Sequence, residues 1–235
     1  MIAEAGIASR RAAEKLIQTD KVRVNGKIVR ILGTKVNPNL DKIEVNGKPL
    51  SQKQIQKKYY LFHKPIGVTT TLSDPHAKKT VVDFFKDIPE RLFPAGRLDQ
   101  NSTGLLLMTN DGELVNRLTH PRFGVKKCYQ VEVDRDLTEA ELHQFKIGIL
   151  LDGKKTAPCH IAKVSKNPNG HARFKVTLHE GRKRQIRMMM KKLNANVITL
   201  HRETYGPLFL GNLKSGEKRL LTPHEIESLV KAIFP

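Results

Sequence analysis

Cysteine is scarce and forms no pattern. Cys128 and Cys159 are the only two. They stand far apart, without metal-ligand or redox spacing, which excludes a disulfide framework and fits a reduced, cytoplasmic setting. No apolar run approaches the roughly 20 residues that cross a bilayer, so no membrane segment is expected. The opening MIAEAGIASRRAAEK lacks the long apolar core of a secretory signal. Several motif-borne chemistries are missing as well. There is no Walker loop, dinucleotide fingerprint, Gly-x-Ser-x-Gly elbow or zinc-spaced Cys/His set. The nine histidines are scattered, and no repeated Asp/Glu cluster suits a two-metal nuclease. No metal, nucleotide or other cofactor is expected.

Acidic residues are also few. Asp and Glu number 23 against 42 Lys and Arg, a net charge of +19. That excess points to a polyanionic partner, because neutralised phosphates and released counterions supply most nonspecific nucleic-acid affinity. Apolar residues make up 39% of the chain, enough for a globular protein and too many for a disordered one.

The chain divides by composition into a small module over residues 1–50, a polar linker over 51–58 and a larger domain over 59–235. In the first, Ser9 caps a helix whose Ala12, Ala13, Leu16 and Ile17 form one stripe, leaving Arg10, Arg11 and Lys15 outward. Two hairpins follow, each turning on Asn-Gly: Asn25-Gly26 and Asn46-Gly47. The outward arginines Arg10 and Arg11 are candidate phosphate contacts.

The larger domain mixes strands and helices without regular alternation. It is expected to be α+β on a mixed, largely antiparallel sheet. Tyr59-Tyr60-Leu61-Phe62 reads as a strand running into a Pro-Gly turn, with Lys64 supplying a positive group. TVVDFF, from Thr80 to Phe85, can open a helix, and Gly112 to Leu118 forms another. Lys126 to Val133, Ile161 to Val164 and Arg173 to Leu178 read as strands. Thr138 and Glu141 form a capping box opening a helix through Phe145. A helix beginning at Glu180 carries Ile186, Met189, Met190 and Leu193 inward. Thr222-Pro223 starts a final helix bearing Ile226, Leu229, Val230 and Ile233.

The stretch FPAGRLDQNSTGLLLMTNDG, from Phe93 to Gly112, organises the domain. Its apolar run, Leu105 to Met108, is short and bounded by turn residues, as a buried strand is. Asp99 then lies on the loop entering that strand, beside Arg97. With the metal and nucleophile constellations missing, chemistry must come from a lone carboxylate with basic and aromatic helpers. Asp99, Tyr129 and Arg187 are the candidates.

Two resemblances add to these readings. AGIASRRAAEKLIQTDKVRVNGKIV resembles the small RNA-binding domain named after the fourth protein of the small ribosomal subunit, whose Ser-Arg-Arg helix binds structured RNA. That family usually has several more residues ahead of the first helix, so a trimmed module is expected here. KPIGVTTT, GRLDQNSTGLLLMTNDG, KCYQVEV and EGRKRQIR resemble, in order, the motifs of bacterial ribosomal RNA pseudouridine synthases of the RsuA-like branch.

The resemblance implies uridine isomerisation without a cofactor, on ribosomal RNA or a pre-ribosomal particle; a monomer is expected, though no residue pattern specifies the oligomeric state. It makes Asp99 the nucleophile, attacking ribose C1′ or the uracil ring. Tyr129 becomes the aromatic group stacking on the base, Arg187 the cation pairing with the carboxylate, and Ile186 a lining residue. Lys64, Arg97, Arg182, Lys183 and Arg184 form a basic mouth. Where the family often has Arg-Met after Gln-Ile-Arg, this chain has Met188-Met189-Met190, one basic residue fewer. The alternative is a non-catalytic RNA-binding or ribosome-assembly factor keeping the fold. The motifs leave open which uridine is the target, with a large-subunit site favoured.

Overall fold

A computed structural model describes residues 1–3, 5–50, 56–166 and 170–234. The chain forms two compact units, Met1–Lys57 and Lys58–Pro235. Residues 51–55 of the expected linker lie outside the described residues.

In the first unit the Ser9 hydroxyl accepts from the Ala12 N–H at 3.1 Å and starts helix α1 (Arg10–Gln18). Ala13 is buried and Leu16 and Ile17 pack partly beneath it, whereas Ala12 is exposed, so the apolar stripe is narrower than its spacing suggests. Strands β1 (Val22–Val24), β2 (Lys27–Ile28), β3 (Ile43–Val45) and β4 (Lys48–Pro49) form an antiparallel sheet in the order β2-β1-β3-β4. Asn25 and Gly26 turn the first hairpin at φ 50° and 78°, and Asn46 and Gly47 the second at 52° and 73°. Two consecutive left-handed residues match the twist of the flanking strands, which is why both turns are Asn-Gly.

The second unit opens with β5 (Tyr59–Lys64), β6 (Phe93–Pro94), β7 (Thr103–Thr109) and helix α2 (Gly112–Thr119). Then come β8 (Lys127–Val133), α3 (Glu139–Ile147), the small hairpin β9 (Leu150–Leu151) and β10 (Lys154–Lys155), and strands β11 (His160–Lys166) and β12 (Ala172–Leu178). Helix α4 (Gln185–Lys192), β13 (Val197–Tyr205), β14 (Leu208–Phe209), β15 (Lys218–Leu220) and α5 (Pro223–Ile233) complete it. The main sheet runs β11-β12-β8-β13-β7-β5-β15, with β14 on β13 and β6 on β7. Every pairing is antiparallel except β13 with β7, so the sheet is mixed and largely antiparallel, as expected.

Helices cover both faces of the centre. Phe62, Leu106, Met108, Val131 and Phe174 meet α3 and α4 through Phe145, Ile186, Met189 and Met190. Leu61, Leu105, Leu107 and Tyr205 meet α2 and α5 through Leu114, Leu118, Leu229 and Ile233. Burial on both faces explains the unbroken Leu105–Met108 run, since a strand with no wet side has no reason to alternate. The expected capping box forms, with Thr138 accepting from the Glu141 N–H, and Thr222 caps the final helix in the same way by accepting from the Glu225 N–H.

Four expectations need correcting. TVVDFF makes only a single 3-10 turn, Val81–Phe84. The helix expected from Glu180 begins five residues later, because Arg184 takes a left-handed φ of 54° that no helix can continue through. Val230 is turned outward on α5. Strand β13, central to the sheet, has no counterpart in the sequence reading. Its register shifts twice, near Val197/Thr199 and Arg202/Thr204, and these bulges erase the alternation that marks a strand.

Candidate active site

The Asp99 loop is clamped by the turn that follows β5. Thr70 donates its hydroxyl to the Leu98 carbonyl at 2.7 Å and accepts from the Leu98 N–H at 3.3 Å. The Gly67 N–H reaches the Gln100 carbonyl at 2.9 Å, and the Gln100 amide returns to the Gly67 carbonyl at 3.2 Å. These bonds tie Lys-Pro-Ile-Gly-Val-Thr-Thr to Arg-Leu-Asp-Gln, so two segments distant in sequence hold one carboxylate in place. The Ser102 N–H closes the loop on the Asp99 carbonyl at 3.0 Å.

Lys64 belongs to this clamp and not to a basic mouth. It is fully buried, and its ammonium donates to the Pro65 and Ser102 carbonyls at 2.8 Å each. Burial pulls its pKa down to about 8, Asp99 opposing the shift and Arg202 adding to it. An unfolded lysine keeps its proton to about pH 10.4. Between those values the unfolded chain binds more protons than the native one, so stability gains from Lys64 deprotonation as pH rises through that window. The wild type is therefore expected to become more stable relative to Lys64→Met between pH 8 and 10, read from paired denaturant melts. A pH-independent difference contradicts it.

Asp99 faces a cavity of about 340 Å³ and is its one lining carboxylate. Six lining residues are cationic: Arg97, Lys127, Arg182, Lys183, Arg184 and Arg202. Tyr129 reaches the cavity from β8, opposite Arg202 on β13, and Ile186 from the first turn of α4. The structure thus brings together Asp99, Tyr129, Ile186, Arg97, Arg182, Lys183 and Arg184 of the expected set. Arg10 and Arg11 are exposed on α1 of the other unit.

Two further basic residues have roles other than those expected. Arg187 lies on α4, but among the described residues it makes no ion pair with Asp99. Its guanidinium donates instead to the Asn101 and Val197 carbonyls at 2.8 and 3.0 Å. Burial lowers its pKa, Arg184 pushes the same way, and the charge of Asp99 opposes both. In place of the expected ion pair, Asp99 acts on Arg187 only as a nearby charge. Arg182 gives its terminal nitrogens to the Lys154 and Lys155 carbonyls at 2.9 and 2.6 Å, and stands 3.5 Å from Glu180. It fastens the β9–β10 hairpin and is not free for a phosphate. Arg97, Lys183 and Arg184 are exposed.

Arg184 holds a backbone conformation that L side chains seldom adopt. Arg184→Gly is expected to raise stability by about 0.5–1 kcal/mol through relief of that strain while weakening RNA binding severalfold. Denaturant melts paired with filter binding check this, and a variant with unchanged RNA affinity removes Arg184 from the interface.

Among the lining residues that escaped the sequence reading are Arg202, Lys127 and Ser102. Arg202 and Lys127 are 2% and 8% exposed, although a charge in a sequence ordinarily marks the surface. Lys127 donates to the Val125 carbonyl at 2.9 Å, and burial brings its pKa to about 8. Arg202 donates through Nε to the Leu105 carbonyl at 2.7 Å and lies 4.8 Å from the Tyr205 ring centroid. The trace of Arg202 in the sequence is Gly104, where a Cβ would stand 2.3 Å from the Arg202 carbonyl oxygen.

A cavity with one lining carboxylate, a half-open wall of cations and Tyr129 and Tyr205 beside them, on a mixed sheet, suits a protein that acts on a polyanionic, ring-bearing substrate. Residues 58–192 match the RNA pseudouridylate synthase family and residues 1–41 the S4 domain. The chain belongs to that synthase family and is an isomerase. It is 44% identical to ribosomal large subunit pseudouridine synthase B of Bacillus subtilis (strain 168), over 97% of this chain and 93% of that one. An uncharacterised RNA pseudouridine synthase of Aquifex aeolicus (strain VF5) is 42% identical over 99% of this chain and 92% of its own. A crystal structure of a pseudouridylate synthase superposes with a TM-score of 0.68 at 32% identity, covering 97% of each chain.

Proposed function

We propose that this chain isomerises a specific uridine of large-subunit ribosomal RNA, acting in the cytoplasm as a monomer, with Asp99 as nucleophile. The observation that carries the reading is the lone carboxylate, set among six cations and beside Tyr129 in one cavity. The likeness to a synthase named for the large ribosomal subunit supports the choice of RNA.

In this reading the exposed Arg97, Lys183 and Arg184 meet phosphates at the cavity, and the target uridine leaves its stack to enter. Tyr129 takes the face of the base, and Ile186 excludes water beside it. An Asp99 oxygen attacks C1′, the N1–C1′ electron pair goes to the departing uracil, and an ester joins Asp99 to the ribose. The uracil turns, C5 gives an electron pair to C1′, and the Asp99 carboxylate is released. C5 then loses its proton and N1 gains one, so atoms and charge balance. If Asp99 instead adds to the uracil ring, negative charge again develops on the ring oxygens. The clamp of carbonyl and amide bonds holds the Asp99 carboxylate at the attack position.

Carbodiimide treatment and primer extension of both ribosomal RNAs, from cells with and without the gene, test this. One large-subunit stop should vanish on deletion. An unchanged pattern overturns the assignment, and loss of a small-subunit stop overturns the choice of RNA.

A further inference from the structure

Three buried side-chain polar atoms lack a hydrogen-bond partner among the described residues: Ser102 Oγ, Arg187 Nε and Arg202 Nη2. Buried polar groups are nearly always paired, so each exception calls for a cause. These three are not scattered. Ser102 is three residues from Asp99, Arg187 holds the Asn101 carbonyl, and Arg202 holds the Leu105 carbonyl. All of them border the segment between residues 99 and 105, and Ser102 and Arg202 line the cavity.

Arg202 is the harder to explain as structure alone. It is 2% exposed, and among the described residues it makes no ion pair. A buried charge without a counter-charge is strongly unfavourable. Hydrophobic residues would fill the site between β8 and β7 at less cost. Tyr205, whose ring centroid lies 4.8 Å from the guanidinium, has its own hydroxyl committed to the Leu118 carbonyl at 3.0 Å.

We infer that Arg202 and Ser102 are catalytic residues that donate hydrogen bonds to the carbonyl oxygens of the target uracil, stabilising the negative charge the ring carries during isomerisation. This rests on the isomerase reading above and adds an electrophilic partner to its nucleophile. Whichever atom Asp99 attacks, electrons flow into the ring and settle on O2 or O4. A donor fixed in place beforehand needs no reorganisation as that charge appears. The unused N–H of Arg202 and the unused hydroxyl of Ser102 are such donors. Gly104 allows β13 to come close enough to deliver the arginine.

The test compares single-turnover loss of the N-glycosidic bond in RNA carrying uridine or 5-fluorouridine at the target. Fluorine at C5 acidifies the ring, so its anion depends less on outside stabilisation. Arg202→Gln is expected to lower the rate on uridine about 100-fold and on 5-fluorouridine only about tenfold, with RNA affinity within about threefold of wild type. Ser102→Ala, which removes one small buried hydroxyl, should lower the uridine rate about tenfold with the same narrowing on 5-fluorouridine. Equal losses on both RNAs, or wild-type rates in the variants, overturn the inference. Should Arg202→Gln fail to fold, Ser102→Ala decides by the same comparison. If the wild type converts neither RNA, the isomerase reading falls and takes this contact with it. Conversion by the wild type with equal losses in the variants removes only the contact.

Discussion

In Asp99→Asn, uridine isomerisation falls by at least about 10⁴-fold, the scale on which removal of a nucleophile acts, while RNA affinity stays within about threefold. The separation follows from where the cations lie. Arg97, Lys183 and Arg184 are exposed, and in the proposed reading they meet phosphate whether or not position 99 is charged. The substitution keeps the shape of the side chain, and the loop is held by Thr70, Gly67 and Lys64 through backbone atoms. Those bonds do not involve the Asp99 carboxylate, so the variant should fold as the wild type does. Single-turnover rates and filter binding on one RNA give both quantities. A variant retaining a tenth of wild-type rate would remove Asp99 from the chemistry. If Asp99→Asn fully restored growth to a deletion strain, ribosome assembly would be the biological role, and isomerisation incidental.

Gly104→Ala is expected to destabilise the second unit by about 3–5 kcal/mol and to silence the enzyme even below its melting temperature. A Cβ there would lie 2.3, 2.6 and 2.9 Å from the Arg202 carbonyl oxygen, nitrogen and carbonyl carbon. These are backbone atoms of the neighbouring strand, which cannot swing aside as a side-chain tip can. The position also has φ +108°, so strain adds to the clash. Gly104 pairs with Arg202 in the one parallel contact of the main sheet, and forcing the strands apart displaces the buried guanidinium. Gly67→Ala is the control. Its φ is +80°, but nothing lies within 4 Å of a Cβ there, so backbone strain alone should cost about 1 kcal/mol. Thermal melts of the two variants separate clash from conformation, and equal losses would contradict the close approach at Gly104.

What could be read from the sequence was local. Asn25-Gly26 and Asn46-Gly47 specify their hairpins within four residues, and Thr138 and Thr222 announce their helices through the glutamates three places on. Leu105–Met108 signals a buried strand by being apolar throughout. Asp99, Tyr129 and Ile186 were legible because motif order carries them, and the cavity unites them. The misplaced features depend on long-range packing. Nothing beside Lys64 says that its ammonium is capped by carbonyls, one of them 38 residues away. The bulges of β13 hide its period, and Arg202 reads as a surface charge until β7 and β8 close around it. Arg182 reads as an RNA contact, whereas the hairpin carbonyls that accept its hydrogen bonds lie 28 and 27 residues earlier.

Release of tritium is the most direct measure of the reaction, because C5 must give up its hydrogen when it becomes the glycosidic carbon. Purified protein is mixed with large-subunit RNA labelled with tritium at uridine C5, and the label appearing in water is counted. Wild type should release about one equivalent per RNA, and Asp99→Asn none. No release from that RNA by wild type, or equal release by Asp99→Asn, would contradict an aspartate-driven uridine isomerase.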